Sequence, residues 1–141
     1  MDKYEIQRRV FRINAVLLLL SALALIAVIP RLIQEISPDG LPKVAAIATS
    51  VGMGIHLLLL AGFLIGIRLI RLKRRINREI NLVAAIFLIL LGFMISDGAF
   101  AYVDSLLYVS VGMFICVACD LSAGVVSIVG MVLLSKKRFK Q

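Results

Sequence analysis

The sequence predicts an all-α integral membrane protein built as a bundle of four helices. Hydrophobic residues make up 62% of the 141-residue chain and the mean hydropathy is +1.06, so too little polar surface remains to coat a soluble globule. Apolar runs of the ~20 residues that cross about 30 Å of hydrocarbon occur four times. We expect one transmembrane domain, 1–141, with helices at approximately 13–33, 44–67, 80–100 and 105–134.

The first apolar run has the features of a secretory signal, because basic residues precede it and Ala22-Leu23-Ala24 is a small-x-small triplet. The apolar stretch nevertheless continues to Ile29, which favours a retained helix. Pro30 lacks an amide hydrogen, so we expect the helix to end or kink there.

The connections between the runs are short. Residues 37–42 (Ser-Pro-Asp-Gly-Leu-Pro) are rich in turn formers, and a shorter connection is predicted around Ser96-Asp97-Gly98. Asp104 or Ser105 is a candidate cap for the fourth helix. We therefore expect the function to reside in the bundle, in its short loops or in a partner.

The distribution of charge predicts the orientation, since lysine and arginine beside short loops set topology and acids contribute little. Of the 16 lysines and arginines, only Arg31 and Lys43 fall in the connections that follow the first and third runs. The others flank the two termini and the middle loop. We expect a multi-pass membrane protein with its N- and C-termini in the cytoplasm.

The excess of cations behind the formal charge of +8 is concentrated in these juxtamembrane clusters. They lack a folded basic domain with aromatic platforms, so no nucleic-acid partner is predicted. Anionic lipid of the inner leaflet attracts such clusters by ~1 kcal/mol per well-placed cation, and a specific lipid or regulatory partner is the alternative. The candidates for headgroup contact are Arg68, Arg71, Arg74, Arg75 and Arg78.

A local match indicates two tandem helical hairpins. Residues 50–53 and 110–113 both read Ser-Val-Gly-Met and occupy corresponding places in the second and fourth runs. A weaker match of basic and asparagine-containing segments precedes the first and third runs. The order of the matches favours a parallel repeat of halves 1–73 and 74–141 about an axis along the membrane normal, and compositional accident is the alternative.

Asp120 needs the most explanation, because it falls midway along the fourth run. A carboxylate there costs ~2.5–3.5 kcal/mol even on the translocon scale, so it must be protonated, face donors or line water. His56 lies near the middle of the second run and aligns with Cys116, one turn before Asp120, if the repeat is real. A contact between His56 and Asp120 is therefore a hypothesis.

This intramembrane pair has two interpretations. It is either a proton relay or cation site, since histidine titrates near neutral pH, or an interhelical hydrogen bond that sets register. Such a bond contributes ~0.6 kcal/mol on the measured membrane average.

Small side chains predict seams where helices pack closely. On the second run, Gly62 and Gly66 form a small-xxx-small pair, which together with Gly54 is expected to face away from His56. One face of this helix would then pack within the bundle and the other against a second copy or a different subunit. The seam on the fourth run consists of Gly112, Cys116, Cys119, Ala123, Ser127 and Gly130.

No motif predicts an enzyme, a metal or a cofactor. Cys116 and Cys119 form a CxxC, but it lies inside a helix and the chain has only 2 cysteines, so no further thiol exists to exchange electrons. A zinc site would have to combine both thiols with His56 and Asp120. The single histidine excludes haem held between two histidines. Phosphate-binding loops and nucleophile elbows are missing too.

These observations favour a non-enzymatic accessory or interaction subunit, packed as a homo-oligomer or against another membrane protein. The alternative is a small transporter or channel subunit that uses Asp120 and His56 for proton or cation coupling. Flux that depends on Asp120 would distinguish the second from the first.

Overall fold

The structure is a computed structural model that describes the backbone at residues 3–34, 41–72, 79–101 and 107–139, and side chains within 3–31, 47–72, 79–97, 99–100 and 107–136. It contains four helices: α1 (Lys3–Gln34), α2 (Leu41–Arg71), α3 (Glu79–Ala101) and α4 (Leu107–Phe139). The prediction of an all-helical fold with four packed helices is confirmed. The helices extend past the predicted apolar limits because lysine, arginine, glutamate and glutamine are good helix formers.

Each helix contains a segment long and apolar enough to cross a membrane: Lys3–Arg31, Ile47–Arg71, Glu79–Asp97 and Leu107–Lys136. Large apolar side chains also cover the outside of the bundle, as at Leu58, which is 75% exposed. Acyl chains solvate such a surface and water does not. Length and hydropathy therefore indicate a multi-pass membrane protein.

Three local predictions differ from the structure. Of the end or kink predicted at Pro30, the end is not observed: α1 continues to Gln34, because one missing amide near the end of a long helix removes a single ladder bond. Pro42 lies in the first turn of α2, where its amide would have had no helical partner, so residues 41 and 42 of the predicted turn belong to the helix. Residues 37–40 of that turn lie outside the described residues. Residues 96–98 continue α3 instead of forming a connection. Asp104 and Ser105 lie outside the described residues.

The helices form a ring in which α1 packs along α2 and α4, and α3 packs along α4, whereas α2 and α3 touch only slightly. The start of α1 and the ends of α2 and α4 share one core cluster, which includes Ile6, Ile70 and Leu134. We call this the basic end, because the described cations Lys3, Arg8, Arg9, Arg12, Arg68, Arg71 and Lys136 lie there. We call the other end of the bundle the opposite end.

The interior divides into two halves along the bundle. The half toward the basic end contains Phe11 and Phe63, whose rings meet edge to face with centroids 5.3 Å apart. The half toward the opposite end contains Leu25, Val28 and Met113 in a second cluster. The buried polar side chains of Ser21, His56 and Asp120 lie between the two halves.

Glycines allow α4 to approach its neighbours. A Cβ added at Gly112 would overlap Val28 of α1, and one added at Gly130 would overlap Val10. On the α3 side, a Cβ at Gly124 would lie 2.9 Å from Ile89 Cγ1. Close backbone approach therefore joins α4 to both α1 and α3.

The glycines of α2 are divided between its two faces. A Cβ at Gly54 or Gly62 would meet no described atom within 4 Å, so both face outward. Gly66 is buried under the Phe11 ring and so lies on the inward side with His56, unlike the prediction that it points away. Gly62 and Gly66 are four residues apart on α2, and the edge of its buried face passes between them.

The tandem repeat stays a prediction from the sequence. A twofold axis that exchanged the two hairpins would make the α2–α3 contact as extensive as the α1–α4 contact, and the former is much slighter. Gly112 and Gly130 account for the larger α1–α4 contact, since they let α1 pack closely against α4.

Candidate functional site

A cluster of four polar side chains lies in the middle of the bundle. The carboxylate of Asp120 on α4 is fully buried and lies against His56 of α2, whose Nε2 is 2.8 Å from Oδ1 and 2.7 Å from Oδ2. The Ser21 hydroxyl of α1 donates to Asp120 Oδ1 at 2.9 Å. The contact spans the α2–α4 diagonal, so three helices converge on one carboxyl group.

The second ring nitrogen of His56 determines where its proton lies. Nδ1 is 2.6 Å from the carbonyl oxygen of Gly52, which can only accept, so Nδ1 carries a hydrogen and donates it. Nε2 then faces Asp120 with either a proton or a lone pair. One proton lies between the two side chains, on the imidazole as an ion pair or on the carboxyl as a neutral pair. Either arrangement has zero net charge, which makes burial in hydrocarbon tolerable.

Cys116 completes the cluster, which we call the central site: Ser21, His56, Cys116 and Asp120. Its Sγ lies 3.6 Å from His56 Nε2 and donates toward Asp120 Oδ2 at 3.7 Å. One ligand atom each from His56, Cys116 and Asp120 lie within 4.8 Å of one another, an arrangement able to hold a metal ion. Cys119 is partly exposed and is not one of this group, so the CxxC is divided between two environments.

The backbone of α3 covers the central site at Gly92. A Cβ there would lie 3.7 Å from the Asp120 Cβ and 3.1 Å from Leu121 Cδ2. α3 thus closes the fourth side of the site with backbone and contributes no side chain from this position.

A second polar contact lies between the central site and the basic end. Asn14 of α1 and Ser127 of α4 are fully buried, and Asn14 Nδ2 donates to the Ser127 hydroxyl at 2.7 Å. Asn14 Oδ1 is buried without a hydrogen-bond partner among the described residues. An orphaned buried acceptor of this kind is costly and is the place where an ordered water or a cation would bind.

A third polar contact lies at the basic end itself. Gln7 of α1 and Asn81 of α3 exchange two hydrogen bonds, with Asn81 Nδ2 donating at 2.8 Å and Gln7 Nε2 donating at 3.3 Å. This pair spans the α1–α3 diagonal. Gln7, Asn14 and Ser21 are seven residues apart, so they follow one face of α1 at intervals of about 10 Å. We call this face the polar line.

Buried polar groups are distributed unevenly between the two halves. The polar line joins the central site to the basic end, whereas Leu25 and Val28 continue the buried face of α1 toward the opposite end. The described buried polar side chains of that half are Thr49 and Ser110, and the Ser110 hydroxyl donates to the Ala99 carbonyl at 2.8 Å. Separate polar contacts therefore follow one another from the central site toward the basic end, and this sequence is not matched toward the opposite end among the described residues.

Several predicted site residues lie elsewhere. Arg68 and Arg71 are exposed at the end of α2, in position to reach headgroups. Arg74, Arg75 and Arg78 lie outside the described residues. In the α4 seam, Ala123 and Ser127 are buried, and Gly112 and Gly130 pack on α1. Cys116, in the same seam, belongs to the central site.

Ser21 and the buried contacts of Gln7 and Asn14 were not predicted from the sequence. Serine is too common in membrane helices to be noticed alone. Three uncharged polar residues at intervals of seven along α1 were the available signal, because such spacing repeats one face of a packed helix.

Comparison with protein-family models, with curated proteins and with solved structures finds no match to this chain.

Proposed function

We propose that this chain is a small cation transporter, or the transporting subunit of a larger one, in which the His56–Asp120 pair exchanges a proton for a cation. The observation that carries the proposal is the pair itself, with both side chains fully buried and Nε2 within 2.8 Å of both carboxylate oxygens. Ionisable groups inside a membrane bundle are expensive, and their commonest use is in ion and proton pathways.

The proton count of the pair supports coupling. With one shared proton the site is neutral, and once that proton leaves, Asp120 is negative beside a neutral imidazole. A buried negative charge is costly until a cation replaces the proton. Proton and cation therefore compete for one position, which is the requirement for exchange.

The polar line supports access from the basic end. Asn14 and Ser127 lie about one heptad from the central site, and the Gln7–Asn81 pair lies a heptad further out. The unpartnered Asn14 Oδ1 would accept a hydrogen bond from a passing water or coordinate a cation. With both termini in the cytoplasm, as the charge distribution predicts, this access is cytoplasmic.

The test uses purified protein in liposomes that contain a pH-sensitive dye. Cation gradients are imposed one at a time, with Na⁺, K⁺, Mg²⁺, Ca²⁺ or Zn²⁺ outside. We expect at least one cation to drive a change of internal pH that Asp120→Asn abolishes. Asp97→Asn, an exposed acid near the far end of α3, is the matched control and should behave as the parent protein.

Protein-dependent pH changes that persist in a folded Asp120→Asn variant would refute this function. The same holds if no cation drives a change beyond that of protein-free liposomes. Folding of each variant is checked by helix content and by elution volume in detergent.

A second candidate is the accessory or interaction subunit, and the outward face of α2 favours it. Gly54 and Gly62 are open on that face, and α2 is the least buried of the four helices. Small residues on a lipid-facing helix let another helix approach closely. An unrelated membrane protein that co-purifies in fixed stoichiometry, and that is lost in Gly54→Leu but not in Asp120→Asn, would support this role.

A further inference from the structure

We infer that the central site binds a transition-metal dication of the Zn²⁺ class through His56 Nε2, Cys116 Sγ and Asp120 Oδ2. This inference names the cation of the proposed exchange and to that extent rests on the proposed function. Binding itself stands on the geometry alone, so it is tested separately from transport.

The separations of the three ligand atoms fit a tetrahedral ion. Metal–sulfur bonds of about 2.3 Å and metal–nitrogen or metal–oxygen bonds of about 2.0–2.1 Å place sulfur about 3.5 Å from the other two ligand atoms. Cys116 Sγ lies 3.6 Å from His56 Nε2 and 3.7 Å from Asp120 Oδ2. The Nε2–Oδ2 separation of 2.7 Å holds a proton and must open by about 0.6 Å to hold the ion.

The surroundings of the ligands are those of a metal site. The His56 Nδ1–H donates to the Gly52 carbonyl, which leaves the Nε2 lone pair directed at the centre. The Ser21 hydroxyl holds Asp120 Oδ1 and so leaves Oδ2 to bind the ion through one oxygen. Two of the three ligands, His56 and Asp120, thus have a partner outside the ligand set that orients them.

The donor set selects the ion. One imidazole nitrogen, one sulfur and one oxygen suit Zn²⁺ and Co²⁺, while Mg²⁺ and Ca²⁺ require oxygen ligands in larger number. Three protein ligands leave the fourth tetrahedral position to water, as in zinc sites that exchange ligands. A site that must release its cargo needs that open position.

The charges balance without an external co-reactant. Before binding, the His56–Asp120 pair holds one proton and the Cys116 thiol holds another, and the cluster is neutral. On binding, the imidazole is neutral, the carboxylate and thiolate each carry −1, and the dication carries +2, so the cluster is neutral again. Two protons leave as one ion enters. A neutral site in both states avoids the cost of a net charge within the bilayer.

The experiment titrates the purified protein in detergent with Co²⁺, whose absorption reports tetrahedral geometry and thiolate ligation. We expect one Co²⁺ per chain with a sulfur-to-cobalt charge-transfer band, displaced by Zn²⁺ but not by Mg²⁺. A weakly buffered titration should release two protons per ion.

Variants assign the ligands. Cys116→Ser should remove the charge-transfer band, and Cys119→Ser, three residues away on the same helix, should retain it. His56→Gln and Asp120→Asn should each weaken Co²⁺ binding by more than about 100-fold, because even partners of ligands contribute 10–100-fold. A band that persists in Cys116→Ser, or no Co²⁺ binding to the folded parent protein, overturns the inference.

The two proposals fail in different ways. If the protein binds no Co²⁺ or Zn²⁺ but Na⁺ or K⁺ drives Asp120-dependent pH changes, the metal inference is wrong and the exchange function stands. If Co²⁺ binds with the expected ligands but no cation gradient moves protons, the metal site stands and the transport function is wrong.

Discussion

Asn14 on α1 donates a 2.7 Å hydrogen bond to Ser127 on α4, in the register that places Ser21 against Asp120 one heptad further along both helices. The same register sets Val28 against Gly112 toward the opposite end. The α1–α4 interface therefore changes character along its length, from polar contacts to close apolar packing. The central site lies where the two meet.

The first prediction concerns access along the polar line. Asn14→Leu removes the buried amide between the central site and the basic end, which adds ~1–3 kcal/mol to the barrier for passage of a proton and slows exchange by about 5- to 150-fold. Liposome pH traces measure the rate. Val16→Leu, on the exposed side of α1, is the control and should leave the rate unchanged. Equal rates for Asn14→Leu and the parent would exclude this route.

The second prediction concerns stability at Asp120. Asp120→Asn keeps hydrogen-bonding capacity toward His56 and Ser21, so we expect less than ~1 kcal/mol of destabilisation. Asp120→Leu leaves His56 Nε2 buried without its carboxyl partner and leaves the Ser21 hydroxyl only its 3.3 Å bond to the Cys116 carbonyl, so it should cost ~1–3 kcal/mol. Thermal unfolding in detergent measures both variants. If Asp120→Leu matches the parent in stability and in every activity, Asp120 is neither an anchor nor a site.

The third prediction concerns the packing of α4. Gly112→Val places methyl groups against Val28, where even a Cβ overlaps, and overpacking of this kind costs ~1–3 kcal/mol. Gly62→Val makes the same change where no described atom lies within 4 Å of the new Cβ, so its stability should stay near that of the parent. The difference between the two melting temperatures is the measurement, and no difference would contradict the α1–α4 packing.

The fourth prediction concerns topology. A reporter fused after Gln141 should read cytoplasmic and one inserted near Asp39 should read external, because the lysines and arginines lie so unevenly about the runs. Reporter activity in intact cells gives the answer. An external C-terminus would reverse the orientation and place the access of the polar line outside the cell.

The number and type of the helices were predictable from the sequence. Burial in hydrocarbon demands that every backbone amide and carbonyl be satisfied within the segment, so ~20 apolar residues leave the helix as the solution. Asp120 and His56 could be singled out for the same reason, since a polar group in hydrocarbon stands out against its neighbours. Helix ends were less predictable, as at Pro30, because apolarity marks the hydrocarbon and not the limits of the helical ladder.

The tertiary structure decided which polar groups meet. Helix periodicity places Asp120 and Cys116 on one face of α4, but it does not say which helix that face meets or at what height. Packing of Val28 onto Gly112 and of Val10 onto Gly130 sets the register of α1 against α4, and that register brings Ser21 to Asp120. His56 reaches Asp120 because α2 and α4, which lie diagonally opposite each other in the ring, turn these two side chains toward each other. Contacts between helices depend on how side chains of different sizes interlock, and no periodicity within a single helix contains that information.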